Sequence, residues 1–335
     1  MKKLFVYGSL VAILVLVLLF ALLLWKNPAP KSGEAIIIVP KGASIATVAD
    51  SLAAKDLIRS KLFFKLAARI EGVSSSLQPG SYRISYGLSN IDILSRLTGT
   101  EFAIIFEITI PEGSTIRRIA SIAKEKLNLD STMIYKLAHD GAFIHAAGVP
   151  AEANSAEGYL FPDTYRFYLM MTPQELLKRM LSRFKEVITD SILAEHTKTG
   201  LSRTGLITMA SIVEAEAHRA DERDTIAGVY YNRLKIGMKL DADPSVQYGL
   251  GLTRPVTHDD LLKDNPYNTY RNTGLPPGPI NNPGKAAILA ALHPARHDKL
   301  FFVARRDGSG GHFFSKTIAD QQKMIAISNQ NENNR

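Results

Sequence analysis

Two glutamates two residues apart, Glu214 and Glu216, close the apolar run Thr208-Met209-Ala210-Ser211-Ile212-Val213-Glu214-Ala215-Glu216. Carboxyl groups in apolar surroundings suit proton transfer. Burial disfavours the charged form and raises the pKa, and a general acid working near neutral pH needs that. Read as a helix, the run turns by about 100° per residue, so the two acids point to roughly opposite sides. Glu216 shares its side with Met209, Ile212 and Val213. Glu214 shares its side with Ile207, Ala210 and Ser211. Glu216 is therefore on the more apolar side and is the first candidate for an acid, with Glu214 second. The competing reading makes both of them solvated residues at a helix end.

Other chemistries find less support. The chain has no cysteine, which excludes thiol catalysis, thiolate metal sites and disulfides. His293 and His297 lie four apart, but Pro294 follows the first and no glutamate stands between them, so the zinc-protease pattern is absent. There is no G-x-S-x-G, no phosphate loop and no dinucleotide fingerprint. What lies downstream of the glutamates is a set of loops rich in Tyr, Asn, Pro and Gly: Asp243-Pro244-Ser245-Val246-Gln247-Tyr248-Gly249, Pro266-Tyr267-Asn268-Thr269-Tyr270 and Gly274-Leu275-Pro276-Pro277-Gly278-Pro279-Ile280-Asn281-Asn282-Pro283-Gly284. Tyrosine faces stack on sugar C–H faces, and amides bond hydroxyl and acetamido groups. Prolines in such loops lower the cost of ordering them on binding.

The elements that must hold these loops can be read from spacing. Ala35 to Val39 is a β-branched run ending at Pro40 and Gly42, which predicts a buried strand and a turn. Ser44 stands before Ile45, Val48, Ala49 and Leu52, the cap and apolar face of a helix. A second helix is expected over residues 61–70, a short strand over 81–85, and a helix around Ile91 to Leu97. The start repeats: Val39-Pro40-Lys41-Gly42-Ala43-Ser44-Ile45 is echoed by Ile110-Pro111-Glu112-Gly113-Ser114-Thr115-Ile116. Further helices are expected over residues 173–187, 206–218 and 223–234.

With 335 residues, 46% hydrophobic and 21% charged, the chain has room for two or three domains. Lys2 and Lys3 precede an uncharged run from Leu4 to Trp25, which as a helix spans ~33 Å and can cross a bilayer. The charges at the start predict an N-terminus in the cytoplasm and a body outside. A cleaved signal peptide is the alternative, but its apolar region is shorter and ends in small residues. Three of the +8 net charges lie at Lys2, Lys3 and Lys26, and no basic block interleaved with aromatics follows, so nucleic acid is not an expected partner.

Taken together, Ser211 to Glu216 (S-I-V-E-A-E), Asn232 to Leu240 (N-R-L-x-I-G-M-x-L), Asp243 to Gly249, Tyr267 to Tyr270, Gly274 to Ile280 and Gly310 to Ser315 resemble the endolytic murein transglycosylases of the YceG-like family. Glu157-Gly158-Tyr159-Leu160-Phe161-Pro162-Asp163-Thr164-Tyr165 extends the resemblance, which runs from the anchor nearly to the C-terminus. One departure is Ala217-His218, where a small polar residue is expected. Val39 to Ala49 also resembles a LysM-like glycan-binding module. The expected organisation is α+β. Residues 1–26 form a cytoplasmic tip and transmembrane anchor, 27–33 a linker, 34–100 a LysM-like subdomain, 101–150 a second small α+β unit, and 151–335 the catalytic domain.

The resemblance implies cleavage of the β-1,4 bond between N-acetylmuramic acid and N-acetylglucosamine without water, leaving 1,6-anhydro ends on nascent strands during wall assembly. It places the catalytic carboxyl at Glu216. Tyr248, Tyr267, Asn268 and Thr269 are the candidates for sugar contacts. No metal or organic cofactor is needed. Peptidoglycan strands are the expected partner, and peptidoglycan synthases are candidate protein partners at the inner membrane. Two alternatives stay open: a hydrolytic muramidase, which needs a second carboxylate such as Asp243, and a non-catalytic glycan-binding scaffold.

Overall fold

The computed structural model describes residues 32–73, 77–99, 104–168 and 171–334, with a few positions before residue 32. The expected anchor, residues 4–25, lies for the most part outside the described residues. Among those described, no helix is long and apolar enough to cross a membrane. The fold is mixed α+β, and the sheets formed by the described residues are two-stranded. The chain divides into two compact units, residues 1–107 with 166–171 and residues 108–165 with 172–335.

The first unit runs β1 (Glu34–Val39), α1 (Ile45–Ala54), α2 (Lys61–Ile70), β2 (Gly80–Ser85) and α3 (Asn90–Thr98). β1 and β2 pair antiparallel, with Ile37 opposite Tyr82 and Val39 opposite Gly80. β1, expected as a buried strand, buries one face: Ile37 and Val39 point inward while Ile36 is 39% exposed. Two strands offer only one face to a core. Ser44 caps α1 by accepting from the Thr47 N–H, and Ser60 caps α2 by accepting from Phe63 N–H. Val48 and Leu52 of α1, Phe64 and Ala67 of α2, and Ile93 and Leu97 of α3 close over Ile37, Tyr82 and Ile84. Emptying this core at Leu52 by Leu52→Ala costs about 2–5 kcal/mol.

The segment expected as a linker, 27–33, begins inside this unit. Asn27 is buried, donates from Nδ2 to Leu88 O (2.9 Å) and Asn90 Oδ1 (3.1 Å), and accepts at Oδ1 from Arg59 N–H (2.9 Å). A side chain whose donor and acceptor are both satisfied within the unit is part of the fold and not a spacer.

The chain passes between the units within β3 (Ile105–Thr109) and β4 (Thr164–Tyr168), which pair with each other. Between them lie α4 (Ile116–Leu127), α5 (Ser131–Ala138) and α6 (Gly141–Ala146). Thr115 caps α4 by accepting from Arg118 N–H, which fulfils the repeated strand-turn-helix entry seen in the sequence. The separate unit expected at 101–150 is not one: residues 108–165 belong to the second unit. Gly113 N–H donates to Asn282 O and Asn282 N–H to Ser114 O, so the turn is stitched to a loop far along the chain.

The rest of the second unit comprises α7 (Pro173–Val187), α8 (Asp190–Ala194), α9 (Arg203–Glu216), α10 (Arg223–Lys235), α11 (Asp243–Leu250), α12 (His258–Leu261), α13 (Lys285–Leu292), β5 (Phe301–Ala304), β6 (His312–Ser315) and α14 (Ile318–Asn333). α9 is the central element. Every residue from Leu206 to Val213 is buried, and an apolar helix with no wet face must be packed on all sides.

Candidate active site

α9 begins at Ser202, whose hydroxyl accepts from Gly205 N–H, and ends at Glu216, after which Ala217 leaves the helix. Because every residue from Leu206 to Val213 is buried, the contrast between an apolar and a less apolar side is weaker than the sequence suggested. Partners separate the two glutamates instead.

Glu214 is tied down. Its side chain is 8% exposed, Oε2 accepts from Gly284 N–H at 3.0 Å, and Oε1 lies 3.8 Å from an Arg223 guanidinium nitrogen. Burial raises its pKa, helped by the nearby Glu112 charge and opposed by Gly284 N–H and Arg223. Gly284 lies close under Glu112: an added Cβ would stand 1.8 Å from Glu112 Oε1, so a larger residue there would push the Glu112 side chain aside. Ser211, one turn earlier, donates to Thr208 O and accepts from Ile280 N–H at 3.0 Å, while Asn281 Nδ2 donates to Ser211 O at 2.8 Å. Ser211 and Glu214 thus lay the proline-rich loop 274–284 along α9.

Glu216 is sunk among its neighbours but keeps an edge open to solvent. Among the described residues a single side-chain donor meets it, the Tyr230 hydroxyl on α10, 3.0 Å from Oε1. Tyr230 is itself buried, edge-on to Phe302 of β5 with centroids 5.8 Å apart. Burial pushes the Glu216 carboxyl up to about 7; the Tyr230 bond opposes the rise, the Asp243 charge adds to it, and Arg233 opposes it. The helix C-terminus also disfavours negative charge there. Arg233 is fixed by bonds to Leu300 O (2.7 Å) and Leu240 O (2.5 Å). Asp243, at the start of α11, accepts from the Tyr270 hydroxyl at 2.7 Å. The result is a carboxyl that is half protonated near neutrality, reachable, and free to give up or take a proton.

A third carboxyl was not singled out from the sequence. Glu157 is 2% exposed. It accepts from Ile116 N–H at 3.0 and 3.1 Å, from Asn282 Nδ2 at 2.7 Å and from the Tyr248 hydroxyl at 3.2 Å. Burial pushes it up to about 8 against the pull of those three donors. The only hint in the sequence was its place in the stretch Glu157 to Tyr165. Next to it Gly158 has φ +88°, and a Cβ there would come within 2.6 Å of Ile207 and Pro279 side-chain atoms.

The expected sugar contacts part into two pairs. Tyr248 and Tyr267 stand with ring centroids 5.1 Å apart and line a cleft of about 460 Å³, with Arg117, Tyr135 and Gln247 also on its wall. Asn268 and Thr269 do not face a cleft. Asn268 is fully buried, donating to Leu261 O and Lys263 O and accepting from Tyr270 N–H. Thr269 Oγ1 accepts from Ala242 N–H at 2.9 Å and lies 2.9 Å from Ser245 Oγ. Both are spent on shaping the loop that presents Tyr267 and Tyr270.

A family model described as the YceG-like family matches residues 37–327. The chain belongs to the YceG-like family. Among similar proteins, the endolytic murein transglycosylase of Bacillus subtilis (strain 168) is 34% identical over 312 residues, covering 88% of this chain and 86% of that protein. The protein of the same name from Streptococcus pneumoniae serotype 2 is 30% identical, and the match covers 86% of this chain and 57% of the longer pneumococcal protein. A crystal structure of a putative YceG-like protein from Listeria monocytogenes superposes with a TM-score of 0.60 at 30% identity, covering 88% of this chain and 100% of that one. The match to the YceG-like family model includes Glu157, Glu214, Glu216 and the loops that hold them.

Proposed function

We propose that this chain is an endolytic lytic transglycosylase of peptidoglycan, with Glu216 as its acid and base. Relatives bearing that name cover most of the chain. The observation that carries the assignment to Glu216 is its partner set: one neutral donor, an open edge, and a pKa raised to about 7 by burial.

The reaction needs only one carboxyl. Protonated Glu216 gives its proton to the oxygen between N-acetylmuramic acid and N-acetylglucosamine as the C1–O bond breaks. The carboxylate left behind takes the proton of the muramyl C6 hydroxyl while that oxygen bonds to C1. Glu216 ends protonated, and the strand ends in a 1,6-anhydro ring. The nucleophile belongs to the substrate, so the second carboxylate of ordinary glycosidases is not required. Tyr248 and Tyr267, on the wall of a cleft that Glu157 also lines, offer faces to sugars of the strand. Asn268 and Thr269 serve by holding their loop in shape.

Mass analysis of purified glycan strands after digestion tests this reading. Anhydro ends, lighter by one water than reducing ends, are expected. Reducing ends would instead assign hydrolysis, with Asp243 as the base beside Glu216. No cleavage at all would leave a glycan-binding scaffold.

We further read the chain as a single-pass protein of the inner membrane with its body outside, on the uncharged run from Leu4 to Trp25 after Lys2 and Lys3. A reporter active only in the cytoplasm, fused after Arg335, should be silent. The first unit is read as a glycan-binding or spacing module. Sedimentation of the chain with purified sacculi, with and without residues 34–100, separates those two roles. Synthase partners are tested by co-purification.

A further inference from the structure

α2 carries two apolar faces. Phe64, Ala67 and Ala68 point into the core of the first unit. Leu62, Leu66 and Ile70 recur at i, i+4 and i+8 on the opposite side. Leu62 is 71% exposed and Ile70 60%. Leu66 between them is half-buried, so the helix shows solvent an apolar edge rather than a single exposed side chain. Lys61, Lys65 and Arg69 repeat with the same spacing along one flank. Lys61 pairs with Asp50 at 2.7 Å, whereas Lys65 and Arg69 have no acid within ion-pair distance among the described residues. An apolar stripe edged by cations is the pattern of a helix lying in a lipid headgroup layer.

The start of the unit says what lies nearby. Lys26 bridges to Ser89 and Asn27 is locked by three side-chain hydrogen bonds. One of those bonds comes from Arg59 N–H, immediately before the Ser60 cap of α2. The uncharged run read as the anchor ends at Trp25, and two residues span at most about 7 Å. No slack separates the anchor from the unit, and the entrance of α2 is at the junction.

We propose that α2 docks on an anionic lipid surface, with Leu62, Leu66 and Ile70 in the headgroup layer and Lys65 and Arg69 on lipid phosphates. The proposal rests on the anchor reading. Each cation near such a surface contributes to binding, and the attraction fades within a Debye length.

The full chain reconstituted into lipid nanodiscs tests it. With no native cysteine, Leu62→Cys gives a single labelling position for a fluorophore, quenched by a spin label carried in the lipid headgroup layer. Discs of anionic lipid should quench it several-fold more than zwitterionic discs. Adding Lys65→Glu and Arg69→Glu, both surface positions, should lower the docked fraction in anionic discs by about tenfold, with an unchanged circular dichroism spectrum. Equal, weak quenching in both lipids by chain that is inside the discs overturns the docking. So does shielding of the label by added glycan strands in the absence of lipid, which would give the stripe to the glycan. Failure of the chain to enter discs is read separately from the quenching, by recovery in the disc fraction, and it removes the anchor and the docking together.

Discussion

Glu216 and Glu157 are both sunk in the second unit, and burial raises both. Among the described residues Glu157 is met by three donors from three segments, and Glu216 by one. A carboxylate gripped by several donors is a fastening, because moving its proton disturbs every segment it holds. A carboxyl with one soft partner can change charge while its surroundings stay put. Burial alone would rank Glu157 as the better acid. The partner count reverses the ranking, and Glu214, bound to Gly284 and Arg223, falls on the fastening side.

The largest test of this contrast is Glu216→Gln. It keeps shape and removes the proton, and it should cut anhydro product by about 10²–10⁴-fold while leaving the melting temperature and glycan binding near wild type. Near wild-type cleavage would place the acid elsewhere. Glu157→Ala should do the opposite. It removes the acceptor of Ile116 N–H and of the half-buried Tyr248 hydroxyl, and one of the two acceptors of Asn282 Nδ2, which costs about 3 kcal/mol and should lower the melting temperature by roughly 5–10 °C. A variant as stable as wild type would show that the three donors find other partners.

Glu214→Gln still offers an oxygen to Gly284 N–H, so a loss of less than about tenfold is expected, far short of the acid–base range. Abolished cleavage there, with Glu216→Gln active, would exchange the two roles.

The pH profile gives two smaller readings. The protonated form of Glu216 starts the reaction, so the rate should fall as pH rises through about 7. The Tyr230 hydroxyl favours the charged form, so Tyr230→Phe should move that falling limb to higher pH; a limb that moves down would contradict the hydrogen bond's direction. Glu157, raised from an ordinary 4.5 to about 8, contributes its full stability below pH 4.5 and loses it progressively up to about pH 8. Melting temperature should therefore decline across that window, and less so in Glu157→Gln.

The local elements were legible in the sequence because each is set by neighbouring residues. Ser44 and Thr115 cap the helices expected of them, and α2 runs over the residues expected, Lys61–Ile70. The motif drew attention to Glu216 but not to its partner Tyr230, which lies fourteen positions on and beyond a turn. Asn268 and Thr269 resemble sugar ligands by type. Only tertiary structure shows that their polar atoms are consumed within the loop. Glu157 escaped for the same reason: its donors come from residues 116, 248 and 282. The boundary at 150 failed because the turn near Gly113 is completed by Asn282, a partner no local pattern announces.

Asn282 bears on how the protein ages. Its Oδ1 accepts from Gly158 and Leu160 N–H, and its Nδ2 donates to Ser114 O and Glu157, so one amide joins three stretches of chain. Asparagine commonly decays when the next backbone nitrogen attacks the side-chain amide and expels ammonia. Conversion to aspartate here would put a negative charge against Ser114 O and Glu157. The next residue is Pro283, whose ring nitrogen carries no hydrogen to give up. An amide that ties these stretches together is thus followed by the one residue that blocks the usual route of its decay.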